Sequence, residues 1–379
     1  MVYEITDENE IKLLHFSNLP FDENDINSCE GTASFRPVEV LLSGLNRPGE
    51  RHGTKYTYTA PGYRLKYKDM KDYRNETGRK LEILMEDKPT GLEVCSNIQF
   101  YDGISVIRSW TELKNNGEED LGVEYVSSFA LLGIDKEGLL STDEKLEVLI
   151  ARNAWQKELI WNRFSMDQLG MSISQPDKVR RSSQTISVGN TGNWSTKNYL
   201  PMGCLKNKET DSILFWQIEQ NGSWYWEISD QDGHMYLQLS GPTEHQSHWW
   251  KNLKPGDTFA SVPVSVGSAC GDVEEAAGEL TKYRRAIRRK NEDNEKLPVI
   301  FNDYMNCLWG DPTTEKELPL IDKAKEAGCE YFCVDCGWYS AGFWWDGVGE
   351  WLPSKERFPG GLKAVSYTHL RAHETLANL

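Results

Sequence analysis

From its start to about residue 270 the chain reads as strand after strand, and beyond Gly271 the spacing of its apolar residues changes to a helical one. That change of period is the strongest constraint on its fold. Ile213-Leu214-Phe215-Trp216-Gln217-Ile218-Glu219-Gln220 and Ser223-Trp224-Tyr225-Trp226-Glu227-Ile228 are both β-prone runs. Asn221-Gly222 between them tolerates the positive φ of a type I′ turn and predicts a hairpin. Asp232-Gly233 predicts a second turn before Met235-Tyr236-Leu237-Gln238-Leu239, extending the hairpin into a meander. Ile104, Val106 and Trp110 alternate on one face of another strand. Val262, Val264 and Val266 repeat the pattern, and Pro263 suggests a sheet edge because proline cannot donate to a ladder. Residues 1–270 are therefore expected to form a large antiparallel β-sandwich.

Past Gly271, Val273, Ala276, Ala277, Leu280 and Tyr283 recur at helical spacing, with Asp272 placed to cap the start. Residues 271–297 read as a helical linker that ends in a charged stretch. Pro298-Val299-Ile300-Phe301 then reads as a short buried strand. Thr314 and Glu317 have capping-box spacing ahead of Leu320, Ile321, Ala324 and Ala327, and Gly328 stops that helix. Tyr331-Phe332-Cys333-Val334 is a second apolar strand. Strand, helix and strand in this order predict a parallel βαβ unit with polar residues at its carboxyl edge, as at the start of a (β/α)8 barrel.

Composition narrows the partners. The chain has 379 residues, too many for one ordinary core, and 58 acids against 42 bases give a net charge of −16. Phosphate binding needs clustered positive charge, so nucleic acid is not an expected partner. The 14 Trp and 16 Tyr suit stacking on a neutral polyol as well as filling a core. Met1-Val2-Tyr3-Glu4-Ile5 has neither a basic start nor an apolar run, and no stretch is long and apolar enough for a bilayer. With scattered cysteines, the expectation is a cytoplasmic protein without a membrane partner.

The chemistry concentrates at Val334-Asp335-Cys336-Gly337-Trp338. An acid emerging from a strand end can accept hydrogen bonds from two hydroxyls of one sugar ring, while an indole covers the ring's apolar face. Cys333 and Cys336 fall on opposite faces of a strand, and His369 and His373 lack a third ligand, so neither pair predicts a metal site. No cofactor is expected.

The motif resembles the Asp-Asp-Gly-Trp signature of the α-galactosidases of glycoside hydrolase family 36. Further landmarks follow in family order: Arg108-Ser109-Trp110-Thr111-Glu112, the run from Trp194 to Met202, His248-Trp249-Trp250 and Tyr283-Arg284-Arg285. The resemblance implies a multi-domain chain, β then α/β. An N-terminal antiparallel β-supersandwich (1–270) and the linker would be followed by the first two strands of a truncated (β/α)8 barrel (298–364). Residues 365–379 look like a non-native, adapter-derived tail.

It also implies substrate-binding roles for Asn302, Tyr304, Asp335, Cys336, Trp338 and Trp351. Tyr304 stands where relatives have Trp, and Cys336 replaces a second acid, which loosens the link to galactose. Asp303 is read as a further binding acid. The implied activity is that of a retaining exo-α-galactosidase acting on raffinose- or melibiose-type α-galactosides, with the catalytic Asp pair expected beyond the chain end. Two alternatives stay open: an α-N-acetylgalactosaminidase or raffinose-synthase-type transglycosylase, and a non-catalytic carbohydrate-binding sandwich. Family relatives also imply a homo-oligomer such as a tetramer, with the loop from Arg51 to Tyr56 reaching a neighbour's pocket.

Overall fold

The computed structural model describes residues 1–23, 35–45, 55–171, 184–366 and 371–372. It divides into two units, Met1–Ile287 and Arg288–Leu379.

The first unit is built on two antiparallel sheets. Among the described residues the larger has ten strands, running in space Lys157–Ser165, Leu146–Ala154, Tyr199–Asn207, Ser212–Ile218, Val264–Cys270, Val106–Asn115, Leu92–Phe100, Gly78–Asp87 and Lys66–Asn75, with Thr258–Ala260 also paired to Val106–Asn115. The smaller has six, ordered Ile186–Asn190, Trp224–Gln231, His234–Ser240, Leu121–Leu132 and Lys251–Leu253, with Val40–Leu42 also paired to Leu121–Leu132. In Gly78–Asp87 the alternation is plain: Leu81, Ile83 and Met85 point into the core and their neighbours do not. Each such side chain, fully buried, contributes about 1.5–3 kcal/mol.

The predicted Asn221-Gly222 hairpin is not formed. Ser212–Ile218 pairs with Tyr199–Asn207 and Val264–Cys270 in the large sheet, whereas Trp224–Gln231 pairs with Ile186–Asn190 and His234–Ser240 in the small one. Neither Asn221 nor Gly222 has the positive φ that a type I′ turn demands. The chain crosses between sheets here because both runs carry large rings into one core: Trp216 and Trp226 meet edge to face, 5.1 Å between centroids. The second turn forms as expected. Asp232 (φ 51°) and Gly233 (φ 80°) close the hairpin of Trp224–Gln231 on His234–Ser240.

Pro263 does not mark an edge strand. It sits just before Val264–Cys270, which lies between two partners inside the large sheet, so no ladder bond is asked of its missing N–H. The helix Val273–Ile287 lays Ala276, Leu280 and Tyr283 on the sheet's other face, against Val106, Leu149, Ile213 and Phe215. Ser212–Ile218 is thus covered on both faces, which accounts for its nearly continuous apolar sequence.

In the second unit Ile300–Asn302, Tyr331–Cys333 and Arg371–Ala372 form a parallel sheet in that order. The sequence predicts two parallel strands; the third falls in the segment read as a tail. The strand expected from Pro298 is not buried as a whole: Val299 and Ile300 are exposed, because this edge strand has only one partner among the described residues. The helix Thr314–Glu326 joins the first two strands. Its Ile321 and Ala324 pack with Phe332, Phe358 and Val365.

Candidate functional site

The carboxyl ends of Ile300–Asn302 and Tyr331–Cys333 bring two short polar sequences together. Asn302 Nδ2 donates to Asp335 Oδ2 at 2.8 Å, while Asn302 Oδ1 accepts the Tyr304 N–H at 2.9 Å. An amide suits this place because it can donate to a carboxylate through its nitrogen and accept from the backbone through its oxygen at once. Both Asn302 and Asp335 are exposed.

Asp303 behaves differently from the binding acid expected of it. It is 2 % exposed, and its Oδ1 accepts the backbone N–H of Asp335 at 2.8 Å. Burial raises its pKa, and the nearby Asp335 charge adds to the rise, while hydrogen bonding with Glu317 and the Asp335 N–H opposes it. Glu317, on the helix and fully buried, lies within hydrogen-bond reach of it, and burial together with Asp303 pushes the Glu317 carboxyl up to about 9. Sequence reasoning missed this role by giving Glu317 to the helix cap. The cap is Thr313, whose side chain accepts from the Lys316 N–H. The overlooked signal was position, since Glu317, Ile321 and Ala324 share the buried face of the helix.

Gly337 fixes the turn after Asp335. Its φ is +88°, and a Cβ there would lie 2.0 Å from the Gly310 carbonyl oxygen, so the loops following the two strands touch backbone to backbone. Cys336 is half-buried beside them. Burial, then Asp335 and Asp303, push its thiol up to about 11, which leaves a neutral, weak hydrogen-bonding group where the resembled signature has a second acid.

The aromatic residues fall into two groups. Tyr304 meets Trp309 and Trp344 edge-on, at 5.7 and 6.3 Å. Trp338 packs on the unit's core and against Tyr339, with Trp351 meeting Tyr339 at 4.7 Å and standing half exposed. The structure thus joins Asn302, Tyr304, Asp335 and Cys336 closely, and holds Trp338 and Trp351 in a neighbouring cluster. Arg357, also missed, is buried and gathers these loops: its guanidinium donates to the carbonyls of Pro312, Ser340 and Gly342 and pairs with Asp311.

Of the loop proposed to reach a neighbour, residues 51–54 lie outside the described residues. Lys55 and Tyr56 are turned inward. Lys55 pairs with Asp230 at 2.9 Å, and Tyr56 stacks on Tyr125 with centroids 3.9 Å apart. His369 and His373 also lie outside the described residues, among which no cluster of three or more His, Cys, Asp and Glu could hold a metal ion.

The melibiase family pattern matches residues 264–374, the stretch that contains this site. α-Galactosidase Mel36A of Lactobacillus acidophilus is 24% identical over 307 residues, covering 78% of this chain and 38% of the relative. The chain is a relative of the glycoside hydrolase family 36 α-galactosidases. α-Galactosidase 1 of Pediococcus pentosaceus is 28% identical over 147 residues, 37% of this chain and 19% of its own length. The fold agrees: the family 36 α-galactosidase AgaA of Geobacillus stearothermophilus superposes with a TM-score of 0.73 at 17% identity, over 98% of this chain and 54% of AgaA. An AgaA variant solved with raffinose gives 0.74 at 16% identity, over the same shares of the two chains. This family 36 relative therefore spans about half the length of the solved enzymes and less than two-fifths of the curated ones it matches.

Proposed function

We propose that the chain is part of a retaining exo-α-galactosidase acting on raffinose-type oligosaccharides, and that its second unit opens the (β/α)8 barrel of that enzyme. The observation that carries this reading is Asp335, an exposed carboxylate at the carboxyl end of a parallel strand, held from the side by Asn302. A carboxylate so placed has free acceptor positions for two neighbouring hydroxyls of a terminal galactose. Tyr304 offers a ring face to the sugar, and Trp351 a second at the rim.

Retention requires a nucleophilic carboxylate and an acid/base carboxylate roughly 5 Å apart across the anomeric carbon. Asp303 and Glu317 are sealed from solvent, and Asp335 is engaged by Asn302, so we assign these three to binding and support. Bond cleavage then falls to carboxylates elsewhere in the enzyme. Cys336 favours a second reading, preference for a related α-linked sugar or transfer to a sugar acceptor, because a neutral thiol holds a hydroxyl more weakly than a carboxylate does. Galactose, N-acetylgalactosamine and glucose titrated against the chain, with the Asp335 amide followed by NMR, test both. Galactose alone moving that resonance supports the first reading, N-acetylgalactosamine moving it more supports the second, and no response to any sugar rejects both.

A further inference from the structure

Asp303 and Glu317 are two acids buried side by side, with no cation beside them among the described residues. Asp303 Oδ1 is occupied by the Asp335 N–H. Asp303 Oδ2 and both Glu317 carboxyl oxygens are buried with no protein donor among the described residues. Among the described residues the titratable groups around the pair are Asp335 from the second strand end, Cys307 from the loop before the helix, and Cys333 and Cys336 flanking Asp335; none brings positive charge. Two ionised carboxylates within hydrogen-bond reach in a sealed site repel each other and leave buried acceptors unsatisfied. One proton between them removes both problems.

We infer that Asp303 and Glu317 share a single proton, Glu317 donating to Asp303 Oδ2, and that this pair positions Asp335 by holding its backbone N–H from below. Asp303 is then a two-sided connector, with one oxygen receiving the helix and the other receiving the strand end. Glu317 acts on the site only through Asp303, so it is a positioning residue and touches no substrate. The upward push of the Glu317 carboxyl to about 9 by burial and by Asp303 agrees with this arrangement. At neutral pH the proton stays in place. As pH rises through that value the pair becomes a double anion, and the turn that carries Asp335 loses its anchor.

The inference rests on the reading of Asp335 as a sugar ligand, but its test does not. Side-chain carbons of Glu and the Asp335 amide are followed by NMR across a pH titration of the 379-residue chain. The expected result is a Glu317 carboxyl that titrates near 9, with the Asp335 amide moving at the same midpoint. Glu317→Gln, which keeps a donor in the same shape, should hold the Asp335 amide near its neutral-pH position and abolish its titration. Glu317→Leu should displace it at every pH and weaken galactose binding roughly tenfold, the loss of about one fixed hydrogen bond. A Glu317 carboxyl that titrates in the usual acidic range, or an Asp335 amide indifferent to it, overturns the inference. Correct titration with no response to galactose would instead overturn the sugar-site reading and leave the pair standing.

Discussion

Asn302 Nδ2 and Asp335 Oδ2 lie 2.8 Å apart, so the ends of two parallel strands are tied by the side chains that stand on them. The bond fixes which face of the carboxylate remains open, and the Tyr304 N–H on Asn302 Oδ1 fixes the amide in turn. Asn302→Ala should free the Asp335 side chain to rotate, at a cost of about 1 kcal/mol in sugar binding, modest because the pair is exposed. Asp335→Asn removes the charged acceptor itself and should cost about 1.5–3 kcal/mol. Calorimetric galactose titration of both variants checks this order; a larger loss in Asn302→Ala would contradict it.

The two Gly-containing turns give the next prediction. Gly233→Ala forces a Cβ onto a residue at φ +80° inside a closed hairpin and should destabilise the first unit by about 1–2 kcal/mol in urea unfolding. Gly222 has no positive φ and lies in open space, where an added Cβ would meet nothing nearer than the Gly192 carbonyl oxygen at 3.8 Å. Gly222→Ala should therefore change stability by less than about 0.5 kcal/mol. Equal effects would restore the Asn221-Gly222 hairpin.

That contrast also shows what the chain's local chemistry could reveal. Asp232-Gly233 was legible because its two positive φ values are a property of those residues and their immediate neighbours. Asn221-Gly222 misled because nothing in the turn itself says to which sheet Trp216 and Trp226 belong; that is decided by pairing with Tyr199–Asn207 and Val264–Cys270 on one side and with Ile186–Asn190 and His234–Ser240 on the other. The βαβ unit was readable from apolar runs around one amphipathic helix. The Asp303–Glu317 pair was not, because Thr314 and Glu317 also satisfy the spacing of a capping box, and only tertiary packing separates the two uses.

Lys55 supplies a test of the inward turn. Its ammonium is fully buried and paired with the Asp230 side chain and carbonyl, so Lys55→Ala removes a buried charge partner from a buried carboxylate. The expected loss is about 3–5 kcal/mol of stability in the first unit, visible as a lower urea midpoint. Lys55→Met should lose a similar amount, since it restores volume but not charge. A stable Lys55→Ala chain with altered sedimentation would mean that this side chain serves an interface instead.

Arg357 leads to a prediction with a pH arm. It donates to three loop carbonyls and pairs with Asp311, whose carboxyl is held below its usual range by hydrogen bonding to Lys316 and then Arg357. Arg357→Lys keeps the charge but cannot reach all three carbonyls from one planar fork, so the loop from Gly337 to Trp351 should open. Limited proteolysis should then cut within that loop at least several times faster than in the parent, and the fluorescence of its Trp residues should shift to the red. Because the folded pKa of Asp311 is depressed, its contribution is present above the unfolded carboxyl value and is lost as pH falls through the lower folded one. Acidification should therefore release the same loop in the parent chain, with the fluorescence change centred below the usual Asp range. An Arg357→Lys chain already open at neutral pH should show no such acid transition. If that variant still shows the parent's full acid transition, Asp311 is not held through Arg357 and the loop is fastened by other contacts.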